Sequence, residues 1–147
     1  MSQAVILAGG RATRMRPYTE DRPKAMIEVA GTPIIERQIR WLAASEVRDV
    51  VISCGYRAEI IEEHVGDGSR LGVTITIARE EDPLGRGGAL RYAASFLRRP
   101  NEMWMGLNGD VITDFEIPNM IEHHNSLRRD QGVAATVALA RFRTSWG

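Results

Sequence analysis

The residues with chemistry to offer sit in a few clusters, and the first cluster is the densest. Gly9-Gly10 is followed by Arg11, Arg14, Arg16 and Arg22, then by Pro23-Lys24. Adjacent glycines let backbone N–H groups approach an anion closely, and the guanidiniums add positive charge, so the pattern suits phosphate. Gly-Gly alone would read as a strand-ending turn with solvated arginines; the Arg cluster and the downstream Pro-Lys weigh against that. Of the 19 Lys and Arg residues only Lys24 is a lysine, which suggests a site that needs a compact ammonium. The loop lacks the Gly-Lys-Ser/Thr ending of a P-loop, and Ala12 and Arg14 do not fit a dinucleotide fingerprint.

Asp110 follows Asn108-Gly109, where a carboxylate can reach a metal bound to phosphates. The same three residues are also ordinary turn chemistry. The stretch from Glu80 to Gly88 places three acids before a Gly-rich turn. It reads either as a plain surface loop or as a reader of a nucleobase edge. A carboxylate only accepts hydrogen bonds, which leans towards guanine and its two adjacent donors. Asp114 reads as a cap for the helix that follows. His64, His123 and His124 lack metal-ligand spacing and read as helix-face residues. Trp41, Trp104 and Trp146 read as packing. Arg98-Arg99 and Arg128-Arg129 read as cations at helix ends.

These clusters need elements to carry them. Ala4 to Ala8 is apolar throughout, as in a strand buried on both faces, and the polar loop from Gly9 to Lys24 is longer than a turn requires. Ala25 to Ala30 reads as a short extended piece, and Pro33 as the start of a helix running to about Ser45. Further strands are expected at Asp49 to Cys54, Val73 to Ala78, Met103 to Leu107 and Val133 to Ala140. Helical stripes lie between them: Tyr56, Ile60, Ile61, Val65; then Ala89, Leu90, Ala93, Phe96, Leu97; then Ile117, Met120, Ile121, His124, Leu127. Alternating strand and helix predicts an α/β fold: a Rossmann-like, doubly wound, mainly parallel sheet with helices on both faces. Ligands of such sheets bind beyond the carboxyl ends of the strands, where all three polar segments fall.

Composition narrows the class. The chain has 147 residues, 44% of them hydrophobic and 26% charged, with no net charge, so one globular domain is expected and a basic nucleic-acid surface is not. The lone Cys54 fits a reducing compartment. No apolar run reaches a membrane span and the N-terminus does not resemble a signal peptide, so a cytoplasmic protein is expected.

Leu7-Ala8-Gly9-Gly10, Thr13-Arg14-Met15-Arg16-Pro17 and Pro23-Lys24 together resemble the signature of sugar-1-phosphate nucleotidylyltransferases. Gly66 to Arg70, Pro83 to Ala89 and Leu107 to Asp110 agree in order and spacing, and are similar to the mannose-1-phosphate guanylyltransferase branch. The resemblance implies attack by a sugar 1-phosphate on the α-phosphate of an NTP, GTP favoured, with release of pyrophosphate. It implies Arg14 and Lys24 as the catalytic cations. Leu7, Ala8, Gly9, Gly10, Arg11, Thr13, Glu80, Gly85, Asn108 and Gly109 become nucleotide contacts, and Asp110 the Mg²⁺ ligand. A homo-oligomer is among the partners it allows. Ala12, Ala25 and Arg86 depart from the usual Gly, Pro and Thr. Members of the family continue beyond the equivalent of Gly147, so residues 1–147 are expected to be the nucleotide-binding part, with the sugar-binding half absent. Two other readings stay open. Molybdenum-cofactor guanylylation is opposed by Arg16-Pro17, and a non-catalytic nucleotide-binding or assembly module, or an inactive fragment of such an enzyme, is opposed by the retained Arg14, Lys24 and Asp110.

Overall fold

A computed structural model describes residues 3–139, which divide into two compact units after Asp114. The first unit is built on four parallel strands: β1 (Gln3–Leu7), β4 (Asp49–Cys54), β5 (Thr74–Arg79) and β6 (Met105–Asn108), in spatial order β5-β4-β1-β6. A small antiparallel pair, β2 (Glu28–Val29) and β3 (Thr32–Pro33), precedes α1 (Ile34–Ala44). Helices α2 (Ala58–Val65) and α3 (Gly85–Ala94) make the later crossovers.

The strand order dictates where the helices lie. From β1 the chain steps to β4 and on to β5, then returns past β1 to add β6 on the far side. Crossovers between parallel strands are right-handed, so reversing direction moves α3 to the face opposite α1 and α2. Packing agrees. Val5, Val51 and Ala78 form one cluster with Ala93 of α3 and Leu97, and Leu90 and Trp104 pack against it. Alternation along a strand sends Ala4, Ile6, Val50 and Ile52 to the other face, where each is at most 1% exposed. The apolar residues Ile35, Ile39 and Leu42 of α1 and Ile61 of α2 are fully buried as well. A sheet covered on both faces explains why β1 and β4 are nearly continuous apolar runs.

Several expectations need correction. Residues 24–26 form a 3-10 turn rather than extended chain, and only Glu28–Val29 of that stretch is strand. Gly85–Gly88 is not loop but the first turn of α3; packing of Leu90 and Ala93 against the sheet and burial of Ala89 offset the roughly 1 kcal/mol that each glycine costs a helix. That helix ends at Ala94, so Arg98 and Arg99 do not complement its dipole. Both instead pair with Asp49 at the amino end of β4, at 3.4 and 3.3 Å.

The second unit contains α4 (Ile117–Gln131), with Arg128 and Arg129 in its last turn and Gly132 closing it in the left-handed conformation at φ 67°. Its N-cap is Glu116 rather than Asp114, and no side chain caps it. Residues 133–139 form no strand. β-branched residues become strand only where a neighbour supplies a ladder, and this unit holds no second strand among its described residues. Ala140 and Trp146 lie outside the described residues.

One buried carboxylate ties α1 to its surroundings. Glu36, with a side chain 9% exposed, accepts hydrogen bonds from Arg40 and Arg70 and lies 2.7 Å from His64 Nε2 on α2. Burial pushes its pKa up, but the hydrogen bonds from Arg40, Arg70 and His64 outweigh burial and bring it down to about 2. Because the folded value lies below the unfolded one, the stability Glu36 contributes is complete above the usual carboxylate range. It is lost as pH falls towards 2. The shift corresponds to on the order of 3 kcal/mol. In urea titrations between about pH 5 and 2.5, Glu36→Gln is expected to lose less stability on acidification than the wild type. Parallel pH profiles would contradict that assignment.

Candidate functional site

The switch in strand order lies between β1 and β6, and a cleft of about 490 Å³ opens beyond their carboxyl ends. Three distant segments line it: Gly9, Gly10, Ala12, Arg14 and Lys24 after β1; Glu80, Pro83, Gly85 and Arg86 after β5; and Asn108, Gly109 and Asp110 after β6. Leu7 and Ala8 form part of the wall. Arg11 and Thr13 do not line it. Arg11 extends over the Tyr56 ring, 6.0 Å from its centroid, and Thr13 begins a 3-10 turn.

Across the cleft Lys24 Nζ donates to Asp110 Oδ2 at 2.7 Å, joining residues 86 positions apart. Both side chains are partly exposed, 32% and 40%, so the pair matters as a local arrangement of charge more than as stability. Among the described residues neither Arg14 nor Arg86 pairs with a carboxylate, leaving two cations on the wall of the cleft for an anion to meet.

The loop that carries Arg14 is held along its length. Ala12 adopts the left-handed conformation at φ 46°, ψ 43°, which costs a residue with a Cβ about 1 kcal/mol. Its carbonyl accepts hydrogen bonds from the Met15 N–H and from the hydroxyl of Thr19, a residue only 2% exposed. Tyr56 Oη donates to the Glu20 carbonyl at 2.8 Å, tying the loop to the start of α2. Ala12 is one of the residues that line the cleft.

Glu80 accepts two hydrogen bonds and lies close against Gly9. Ser53 Oγ donates to its Oε1 at 2.7 Å, the Leu84 N–H reaches Oε2 at 3.4 Å, and a Cβ on Gly9 would stand 2.6 Å from Oε1. Gly9 therefore makes room for a carboxylate as well as for an anion. Glu81 and Asp82 do not line the cleft, so of the three acids only Glu80 does.

Two buried polar residues at the site carried no motif. Ser53 is the one hydroxyl in the apolar run of β4 and is fully buried. Gln38, 4% exposed, reaches from α1 to donate through Nε2 to the Asn108 and Val111 carbonyls at 2.8 and 2.7 Å. Its Oε1 is buried and has no hydrogen-bond partner among the described residues, a penalty of about 1–3 kcal/mol that an apolar side chain would not incur. A signal existed for both: each is a polar residue at a core-facing position of an otherwise apolar stripe.

Cys54 is buried, and burial with nearby Glu62 pushes its thiol up to about 12, so it is not a nucleophile. Among the described residues no cluster of three or more His, Cys, Asp or Glu could hold a metal unaided. Asp110 nevertheless keeps one carboxylate oxygen, Oδ1, without a hydrogen bond among the described residues. A single hard oxygen ligand fits a Mg²⁺ ion whose other ligands are phosphate oxygens and water.

A family model described as "Nucleotidyl transferase" matches residues 3–147. The chain belongs to the nucleotidyl transferase family. It is 38% identical over 127 residues to a mannose-1-phosphate guanylyltransferase of Mycobacterium tuberculosis, covering 86% of this chain and 35% of that protein. It is 35% identical over 135 residues to the mannose-1-phosphate guanylyltransferase catalytic subunit beta of Danio rerio, covering 91% of this chain and 38% of that protein. The chain thus spans little more than a third of these curated relatives. Among solved structures, HddC from Yersinia pseudotuberculosis complexed with GMP-PN superimposes with a TM-score of 0.72 at 30% identity, covering 84% of this chain and 54% of HddC. The parallel sheet with helices on both faces is therefore a nucleotidyl transferase fold. Among the described residues no helix is long and apolar enough to cross a membrane.

Close approach of β6 to β1 is what brings Asp110 to the cleft. The Gly109 N–H donates to the Leu7 carbonyl at 2.8 Å, and a Cβ on Gly109 would lie 2.7 Å from that oxygen and 3.3 Å from Ala8. Gly109→Ala is expected to destabilise the chain by about 1–3 kcal/mol in urea denaturation, because backbone atoms cannot yield as a side chain can. An unchanged midpoint would show that the strand ends separate freely.

Proposed function

We propose that this chain is the nucleotide-binding part of an enzyme that transfers a nucleoside monophosphate from an NTP, with GTP favoured, to a sugar 1-phosphate. The observation that carries the reading is the convergence of Gly9-Gly10, Arg14, Lys24, Glu80 and Asp110 on one cleft from three distant segments. An oxygen of the sugar 1-phosphate attacks the α-phosphorus, the bond to the β-phosphate oxygen breaks, and pyrophosphate leaves. Such a reaction asks the protein for positioning and charge neutralisation rather than for a nucleophile of its own.

The residues take roles accordingly. The Gly9-Gly10 backbone and Arg14 hold the triphosphate, and Arg11 and Thr13 belong to the same loop outside the cleft lining. Lys24 places its ammonium at the α-phosphate, where negative charge grows in the transition state. Leu7, Ala8, Gly85, Asn108 and Gly109 shape the wall around the nucleoside, and Glu80 accepts hydrogen bonds from the base. A guanine offers Glu80 two adjacent donors, and the guanylyltransferase names of the relatives and the GMP-PN complex of HddC support that choice. Asp110 would hold Mg²⁺, which when bound neutralises charge on the phosphate oxygens. A cytoplasmic setting accompanies this reading.

Lys24 and Asp110 neutralise one another across the cleft, and nucleotide with metal offers each a different partner. Thermal shifts of the chain with each NTP and dTTP in Mg²⁺ are expected to be largest for GTP. Asp110→Asn is expected to abolish the metal-dependent part of that shift. Another NTP ranking first would overturn the guanine assignment, and no shift with any of them would favour an incompetent fragment.

In turnover assays of the whole protein, Lys24→Arg is expected to lower pyrophosphate release by about 100-fold or more. A planar guanidinium cannot take the place of a compact ammonium at the transferring phosphorus. Near-normal release would remove the argument drawn from the single lysine.

A further inference from the structure

We propose that Gln38 is a positioning residue for the Asp110 carboxylate, its amide holding the two backbone carbonyls that bracket the Gly109-Asp110 turn. Asn108 to Val111 is a four-residue turn whose own closing bond, Val111 N–H to the Asn108 carbonyl, is long at 3.3 Å. Gln38 Nε2 bonds the same Asn108 carbonyl at 2.8 Å and the Val111 carbonyl at 2.7 Å. Gln38 thus adds two short restraints from a helix 70 residues away in sequence, beside the bond from the Gly109 N–H to the Leu7 carbonyl at 2.8 Å.

The choice of residue fits this role better than a packing role. Both partners are acceptors, so the amide nitrogen must face them, and that orientation leaves Oε1 buried without a partner. An apolar side chain of similar volume would fill the space with no orphan oxygen, but it would leave the Asn108 and Val111 carbonyls without this shared donor, so that only the long internal bond would close the turn beyond Gly109. The same helix also fixes the other half of the ion pair. The Ile34 N–H at the start of α1 donates to the Ile27 carbonyl at 3.0 Å, directly after the 3-10 turn that carries Lys24. Helix α1 is thus the common platform for Lys24 and Asp110, and Gln38 is its contact with the carboxylate side.

The inference rests on the reading of Asp110 as the metal ligand, and its test separates the two. Mg²⁺ demands near-ideal octahedral geometry, whereas Ca²⁺ accepts flexible coordination. A displaced carboxylate should therefore harm Mg²⁺ more than Ca²⁺, while general loosening of the fold should affect both alike. GTP binding to the chain is titrated against MgCl₂ and, separately, CaCl₂, with a metal-free control in EDTA. For Gln38→Met the Mg²⁺ midpoint is expected to rise about tenfold, in the range seen when an outer partner of a metal ligand is lost. The Ca²⁺ midpoint should move less than about threefold, and metal-free binding should not change. Asp110→Asn is expected to raise both midpoints.

If Asp110→Asn raises both while Gln38→Met moves them equally or not at all, Gln38 is a packing residue and the inference fails alone. If Asp110→Asn moves neither, the metal reading fails and takes the inference with it. Gln38→Leu also removes the donor without adding a charge, and it gives the same pair of measurements if Gln38→Met does not fold.

Discussion

The site depends on one close contact between backbones. β6 lies directly against β1, and Gly109 hydrogen bonds to the Leu7 carbonyl where any Cβ would collide with it. That contact sets Asp110 beside the loop that begins at Gly9, and it places the switch in strand order where two loops leave the sheet in opposite directions. Without it, a cation near the start of the chain and a carboxylate 86 residues later would have no reason to meet.

Around this contact the chain builds rigidity from polar groups as well as apolar ones. Gln38 holds the turn after β6, Ser53 holds Glu80, and Thr19 and Tyr56 hold the loop after β1. Each is a hydrogen bond between residues of the floor or walls, so the groups facing the cleft are held before any ligand arrives. That arrangement suits charge neutralisation, which is most effective when dipoles and charges need not reorganise during reaction. The left-handed Ala12 and the orphan oxygen of Gln38 are local penalties at this site, although Ala30, Glu46 and Arg57 adopt the same left-handed conformation away from the cleft lining.

The mutual pairing of Lys24 and Asp110 has a chemical logic of its own. Each is a charge on the rim of a cleft, and each would repel its own kind if left alone with the neighbouring arginines or with Glu80. Paired at 2.7 Å and still partly exposed, they are stabilised only weakly, so a triphosphate with its cation can compete for both.

Much of the molecule could be read from the chain alone. Apolar runs such as Val50 to Ile52 state that a strand is buried on both faces, and helical spacing of Ile35, Ile39 and Leu42 states which side of α1 is covered. Gly9-Gly10, the Arg cluster, the single lysine and Asn108-Gly109-Asp110 marked the loops that line the cleft, because glycine and charge at strand ends are local signals. What those signals lacked was partnership. Nothing local shows that Gly85 to Gly88 becomes a helix, since packing on the sheet decides it. Nothing local keeps residues 133–139 from being strand, since a strand exists only beside another. Ser53 and Gln38 were visible only as polar residues in apolar stripes, and their roles follow from what lies opposite them. The sequence determined the elements and the charges at their ends. The tertiary structure alone decided which ends face one another, because hydrogen bonds and ion pairs act over ångströms of space and not along the chain.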